Sequence, residues 1–418
     1  MRDAIVIGAG AAGLMAAREL KRAGRRVLVL EASRRVGGRI LTRQDTHAGM
    51  PIELGAEFVH GEAPETTNLL QEARLTSFPM LGQHYRSDRG EMSPQGPLWE
   101  RMSLVFRHLN ADRKVDRSFQ DFLDTKPGGR SLWRERELAR GFIQGFNGAH
   151  TSLISEKSIA EQGDPTEGAA DARRIVAGYG ALVDHLKKDL TAEIRLGVRV
   201  ARIEWNESGV KVVDARGAKH SARAVVVAVP LPMIQDGSIV FDPEIPATRK
   251  AARQLMMGQV TRVIVVLKER FWKNKLNELG FVHSPERPFS VWWTQYPLLA
   301  PVIIGWAGGP SSIELSDAGD IESTAIAELA RVFNMRRRRV ESLVASIHTH
   351  DWRKDRFIRG GYSYAGVGGT FAPRMLTRTV GGRVFFAGEA TESSTSGTVE
   401  GAISSGKRAA HAILEVSE

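Results

Sequence analysis

The sequence predicts an α/β fold with a Rossmann-type unit, and three observations predict it. An apolar run, Ala4–Ile7, leads into glycines at 8, 10 and 13 and then into a helical pattern. A second apolar run, Val27–Leu30, is closed by the carboxylate of Glu31. Two long stretches then break the α/β pattern: 62–169 is helix-rich, while 236–380 alternates strand-like runs with a helical pattern at 321–333.

Taken in order, Ala4–Ile7 suits a buried parallel strand, which has no polar face to show. Gly8, Gly10 and Gly13 follow in G-x-G-x-x-G spacing. The first permits a tight turn, the second lets the backbone approach a pyrophosphate, and the third lets helix pack on strand. The helix opening at Ala11 and Ala12 aims free N–H groups and a positive dipole end at the phosphates. Glu31 ends the second strand, with Ala32 after it, and a carboxylate there accepts hydrogen bonds from ribose hydroxyls. Together these features predict a dinucleotide site here. A second glycine pair, Gly37 and Gly38, follows at once in RRVGGR. It allows another close backbone approach, with Arg34 and Arg39 aimed at phosphate oxygens. A simple nicotinamide site has no use for that second pair.

The totals bound the rest. A chain of 418 residues, 42% hydrophobic and 25% charged, is long enough for two or three globular domains. It has no cysteine, which excludes disulfides, thiolate catalysis and cysteine-ligated metal. The eleven histidines do not cluster, so no metal site is expected. The net charge of +10 raises the question of nucleic acid, but the basic residues are scattered. The one run, Arg336–Arg339, follows a helical pattern and is accompanied by no nucleic-acid module. A strand pattern in the first residues leaves no room for a secretory signal. The longest apolar run, Ala224–Ile234, is interrupted by prolines and shorter than the ~20 residues of a spanning helix. The expectation is a cytoplasmic protein with neither a nucleic-acid nor a membrane partner.

The glycine turn, the acidic residue and RVGGR together resemble the flavin-containing amine oxidase superfamily: monoamine and polyamine oxidases, L-amino-acid oxidases and lysine-specific histone demethylases. The resemblance implies FAD as a resident cofactor and runs nearly end to end, least informatively around 90–165. IELGAEFVHG, Ile52–Gly61, is similar to the segment in which Gly55 and Ala56 lie against the isoalloxazine. Glu57 and His60 follow, as candidates for binding a second amine or a polar tail of the substrate. Val200 matches the residue whose backbone holds the adenine. Gly388 and Glu389, in FFAGE, match the ribityl–pyrophosphate region. Gly397, Thr398 and Val399 open the last helix, whose amino end is implied to face N1 and O2 of the flavin. That end would stabilise the charge of the reduced ring by about 1 kcal/mol or more.

Tyr362 matches the family aromatic that flanks the reaction centre, with Tyr364 the alternate two residues on. Thr398 stands where monoamine oxidases carry a second tyrosine, so a two-tyrosine cage is not expected. Trp292, Trp293 and Trp306 are equally candidates for cavity wall and for core. Gly361 occupies the place of the flavin-linking cysteine, and the implied FAD is noncovalent.

The main departure is Arg262, where the family usually has a lysine that holds a water against flavin N5. Arginine is longer, always charged and forked. Three roles stay open: binding that water in altered geometry, clamping a substrate carboxylate, or slowing oxygen so that another acceptor serves. Arg262 is expected on the N5 side of the cavity, with oxygen reactivity below that of lysine-bearing relatives. Lys268 matches a separate position beyond the strand.

The expected organisation is an FAD-binding domain of 1–61, 170–235 and 381–418. A discontinuous α+β substrate domain of 62–169 and 236–380 completes it, with the cavity between them. The implied reaction oxidises an amine by hydride transfer to flavin N5, followed by imine hydrolysis and reoxidation by oxygen with release of peroxide. Two rival activities stand beside it: C–C desaturation or ring oxidation, as in protoporphyrinogen-oxidase and phytoene-desaturase relatives, and flavin binding without turnover.

Overall fold

The computed structural model describes residues 2–166, 171–284 and 288–416. The strand Arg2–Ile7 pairs in parallel with Val27–Glu31 on one side and Lys219–Val227 on the other. Ile194–Leu196 extends the parallel set at one end, and Val384–Phe386 joins Lys219–Val227. Side chains alternate across a strand, and both faces of this one are covered. Ala4 and Val6 pack under the helices Ala11–Arg22 and Val399–Val416, while Ile5 and Ile7 pack on the other face with Phe241 and Phe386. The two helices approach closely because small residues line their contact. A Cβ on Gly406 would stand 2.2 Å from the Ala12 carbonyl oxygen.

Beyond Lys219–Val227 the sheet turns antiparallel through Gly209–Asp214 and Val200–Asn206, then ends on Val240–Asp242. That edge strand lies past the expected boundary at 235. Three residues are too few to show a period of two, so the sequence could not announce it.

The second sheet runs in the order Val344–Thr349, Val260–Leu267, Val302–Gly308, Val291–Thr294, Leu279–His283, Gln83–Asp88, Glu91–Pro94. Every residue of Val260–Leu267 is buried. Its odd-numbered residues, such as Val263 and Val265, pack with the helix Ile321–Val332. Its even-numbered residues Ile264 and Val266 pack with Ile52 and Leu54, from the segment that follows the second glycine pair. This alternation decides where Arg262 points. Helices Leu98–Phe106, Phe119–Asp124 and Trp133–Asn147 close the far side around a core that includes Met102, Phe119 and Ile143. No helix among the described residues is long and apolar enough to cross a membrane.

The helix Pro64–Glu72 shows how the distant ends are tied. Ala63 at its start offers no side-chain cap. The buried carboxylate of Glu400, in the first turn of the final helix, accepts from Glu65 N at 3.0 Å and Thr66 N at 2.8 Å instead. A carboxylate at a helix amino end satisfies orphan donors and opposes the dipole.

Candidate active site

A single cavity of 1260 Å³ is lined by residues of both sheets and of the helices over them. One half is built largely from backbone. Gly8 adopts φ 102°, and a Cβ there would meet the Ala228 carbonyl oxygen at 2.5 Å. A Cβ on Gly13 would stand 1.9 Å from the Gly8 oxygen, so only glycine lets the helix sit on the turn. Gly37 N donates to Ala9 O at 2.8 Å, joining the second glycine pair to the first. The helix Ala11–Arg22 has no side-chain cap, which leaves its first N–H groups open to the cavity. Glu31 accepts from Ala9 N at 2.6 Å and Ser33 N at 2.7 Å, so its carboxylate is fixed at the wall. Open N–H groups, a tight turn that only glycine at 8 and 13 allows and an oriented carboxylate fit a dinucleotide.

Where this half meets the other, Glu389 gathers three segments. It takes Arg39 Nη1 at 2.7 Å, Ser363 Oγ at 2.6 Å and Gly397 N at 3.0 Å. Arg39 also donates to Gly361 O at 2.9 Å.

The residues singled out in the sequence fall mostly on this wall. Gly8, Gly10, Ala11, Ala12, Glu31, Ala32, Gly37, Gly38 and Arg39 line it, as do Gly55, Ala56, Glu57, His60 and Val200. Gly388, Glu389, Gly397, Thr398 and Val399 line it too, with Arg262, Tyr362 and Tyr364. Gly13 packs behind it, against Gly8 and Val6. Arg34 is exposed and stands outside the wall, so the structure does not aim it at the cavity. Its neighbour Arg35 turns inward instead and donates to Val36 O, Gly38 O and Ile40 O, holding the second glycine loop. Trp293 and Trp306 line the cavity, whereas Trp292 is fully buried core.

The other half is built from side chains. Arg262 Nη1 donates to Glu53 O at 2.8 Å and Gly55 O at 2.7 Å. Its Nη2 lies 3.2 Å from Glu57 Oε2, and its guanidinium carbon is 5.5 Å from the Trp293 ring and 5.4 Å from the Trp306 ring. Glu57 also takes Arg174 Nε at 2.8 Å and Gln295 Nε2 at 3.2 Å. Burial works to raise the Glu57 pKa, but the two guanidinium charges outweigh it and hold it below the usual carboxylate range. Nη1 is spent on two carbonyls, Nη2 faces Glu57, and Nε is buried without a partner, so neither edge of the guanidinium offers two free and accessible N–H groups to a bidentate carboxylate. The structure therefore does not support the substrate clamp among the roles left open for Arg262. Behind the turn, burial pushes the Glu53 carboxyl up to about 7, although Thr42 Oγ1 and Tyr179 N donate to it.

The Tyr362 hydroxyl donates to Phe146 O at 2.5 Å, and a Cβ on Gly397 would lie 3.5 Å from its ring. Tyr364 is buried in the core of the helical side. Eight cavity-lining rings from six separate elements touch in a closed circuit. Phe58 meets His60, then Phe146, Phe142 and Trp99 follow in contact, and His84, Phe281 and Trp293 lead back to Phe58. His84 Nδ1 lies 3.1 Å from His283 Nε2. Burial lowers their pKa values to about 4 and about 3, so both rings are neutral near pH 7. Sequence reasoning missed most of this circuit and Arg174. Only Phe142 and Phe146, one helical turn apart, gave a local signal. No group of three or more metal-ligating side chains occurs among the described residues.

Over residues 11–414 the sequence matches the flavin containing amine oxidoreductase family, and the chain belongs to that family. It is 29% identical to polyamine oxidase 2 of Arabidopsis thaliana over 437 residues, covering 97% of this chain and 86% of that protein. It is 28% identical to lysine-specific histone demethylase 1 homolog 2 of Oryza sativa subsp. japonica, covering 99% of this chain and 57% of that protein. In fold it is similar to putrescine oxidase bound to putrescine, with a TM-score of 0.85 at 22% identity over 99% of both chains. Cyclohexylamine oxidase from Brevibacterium oxydans IH-35A gives a TM-score of 0.83 at 23% identity, again over 99% of both chains. The chain is an FAD-dependent oxidoreductase of the amine oxidase type, and FAD is the dinucleotide that its glycine loops fit.

Proposed function

We propose that the chain oxidises a C–N bond of an amine held in the aromatic half of the cavity, with noncovalent FAD in the glycine-built half. The carrying observation is that one continuous cavity joins the dinucleotide cradle to a chamber walled by aromatic rings. The chemistry supplied by bound FAD is acceptance of a hydride from the amine α-carbon at N5, with oxygen as final acceptor and hydrogen peroxide as its product.

The protein's own part is placement and environment. Glu31 would hold the adenosine ribose, and the open end of Ala11–Arg22 with Gly37–Gly38 the pyrophosphate. Gly397–Val399 opens the last helix beside Tyr362, so the positive end of a helix dipole borders the reaction chamber. The buried, ring-walled chamber disfavours an ammonium and so favours the neutral amine that oxidation requires. Arg262 is a positioning residue: it ties the Glu53–Gly55 backbone to the second sheet and so fixes the turn that carries Gly55 and Ala56. Water hydrolyses the imine product. The absence of cysteine and the presence of Gly361 beside Tyr362 leave no thioether to the flavin.

The test is anaerobic mixing of the purified yellow protein with a panel of amines, followed by admission of air. Loss of the visible flavin band and then release of peroxide are expected. Bleaching by a partly saturated ring compound and by no amine would replace this reading with desaturation. Denaturation is expected to leave the flavin in the supernatant as FAD.

A further inference from the structure

We propose that the substrate is a monoamine with a cyclic or aromatic body and a neutral hydrogen-bonding group at its far end, and that di- and polyamines are poor substrates. The inference rests on the amine-oxidising reading and adds the substrate class to it.

The body is set by the closed circuit of rings, whose centroids lie 4.6–6.2 Å from their neighbours. Such walls favour an apolar guest with π-faces or flat edges of its own. They would also attract a cation over a ring face, but the faces nearest the Gly55 turn are already taken. Arg262 lies over Trp293 and Trp306, and Arg174 lies 4.9 Å from the Phe58 ring centroid.

A diamine brings a second ammonium, which is costly to bury without a counter-charge. The buried carboxylate at the circuit, Glu57, is already shared by two guanidiniums, a set with net positive charge. Arg86, two residues from His84 on the same strand, adds another cation to the wall. Within the ring circuit a second ammonium therefore meets neutral rings and arginines; the other carboxylates of this part of the wall, Asp88 and Glu137, are exposed, and Glu137 is already paired with Arg140.

The far end is set by His84 and His283. One nitrogen of each is spent on their mutual bond. Whichever ring donates, the two remaining nitrogens of a neutral pair are one donor and one acceptor. That combination suits a hydroxyl, an ether or an amide rather than a charge. Burial keeps both rings neutral across the physiological range.

The experiment uses the holoenzyme and anaerobic stopped-flow reduction by phenethylamine, its para-hydroxy analogue, putrescine and spermidine. The aryl monoamines are expected to reduce the flavin at least tenfold more efficiently than either polyamine. The hydroxylated amine should bind more tightly than the plain one. In His84→Phe, which keeps a ring against Phe281, that preference should shrink by about three- to tenfold, the worth of one hydrogen bond. In His84→Asp, putrescine binding should improve at least tenfold. Wild-type preference for putrescine or spermidine overturns the proposal, as does a hydroxyl preference that His84→Phe leaves intact. Failure of every amine to reduce the flavin sinks the amine-oxidising reading itself and is recognisable as such. If neither variant folds, the wild-type ranking of the four amines still decides the matter.

Discussion

The two halves of the cavity are made by different means. The dinucleotide half is a matter of backbone: glycines whose Cβ atoms would collide, N–H groups at a helix start, and carboxylates held by amides. The reaction half is a matter of side chains: eight rings from six elements, and a buried Arg–Glu–Arg set that ties the strand Val260–Leu267 to Glu57 and to the strand Ala172–Ile175. The difference teaches where each half is fragile. Backbone cradles fail by steric intrusion or loss of an anchor, and act on cofactor affinity. Side-chain chambers fail by unbalanced charge, and act on the fold.

The largest effect is expected from Glu57→Gln. It leaves Arg174 and Arg262 buried without their shared counter-charge, and breaking a buried pair costs about 3–5 kcal/mol. Denaturant unfolding of the holoenzyme measures it. The exposed pair Arg337–Glu341 is the control, where removal should cost no more than about 0.5 kcal/mol. Equal effects at the two sites would erase the contrast between chamber and surface.

Glu53 lies under the junction of the halves and gives the comparison a pH axis. Its folded pKa of about 7 is above the ordinary carboxyl value of 4.5. The folded state thus binds the extra proton, and stability is full below the unfolded pKa and is lost as pH rises to about 7. The loss is on the order of 3 kcal/mol. Glu53→Gln, which cannot ionise, should match the wild type at pH 4 and exceed it at pH 8. Parallel unfolding curves across that range would show that the carboxyl does not carry its charge in the way burial implies.

On the cofactor side, Glu31→Ala removes the acceptor of Ala9 N and Ser33 N and the expected ribose contact. Hydrogen bonds to a charged group are worth about 1.5–3 kcal/mol, so FAD affinity should fall by one to two orders of magnitude. Titration of the apoprotein with FAD checks this, and unaltered affinity would take Glu31 out of the cradle.

The same contrast explains what could be read in the sequence. Gly8, Gly10, Gly13, Glu31, Gly37 and Gly38 lie within one stretch of 31 residues, because a backbone cradle is local. Spacing predicted it, together with the apolar runs Ala4–Ile7 and Val27–Leu30 that bracket the first helix. Within RRVGGR the side-chain directions were not legible: Arg34 points to solvent and Arg35 inward, which depends on the fold of the loop. The chamber was largely hidden. Trp99, His84 and Phe281 meet only after a helix and two strands from separate segments have packed. An isolated aromatic in a strand has no local pattern to mark it as wall rather than core, as Trp292 and Trp293 show side by side.

The smallest expected effect belongs to Arg262, which joins the two halves. Lysine at this position would have to serve Glu53 O, Gly55 O and Glu57 with one compact ammonium on a shorter reach, where the guanidinium serves them with a planar fork. Charge is conserved, so the buried set keeps its balance and only one hydrogen bond and the stacking between Trp293 and Trp306 are lost. Arg262→Lys should therefore destabilise the holoenzyme by about 1–2 kcal/mol. If the residue acts by positioning, the rate of flavin reoxidation by oxygen should be unaltered, because the cation never faced the reacting atoms. Stopped-flow reoxidation of the reduced wild type and variant decides it. Faster reoxidation in the lysine variant would mean that position 262 does reach the flavin, and that arginine holds back oxygen as its place in the sequence first implied.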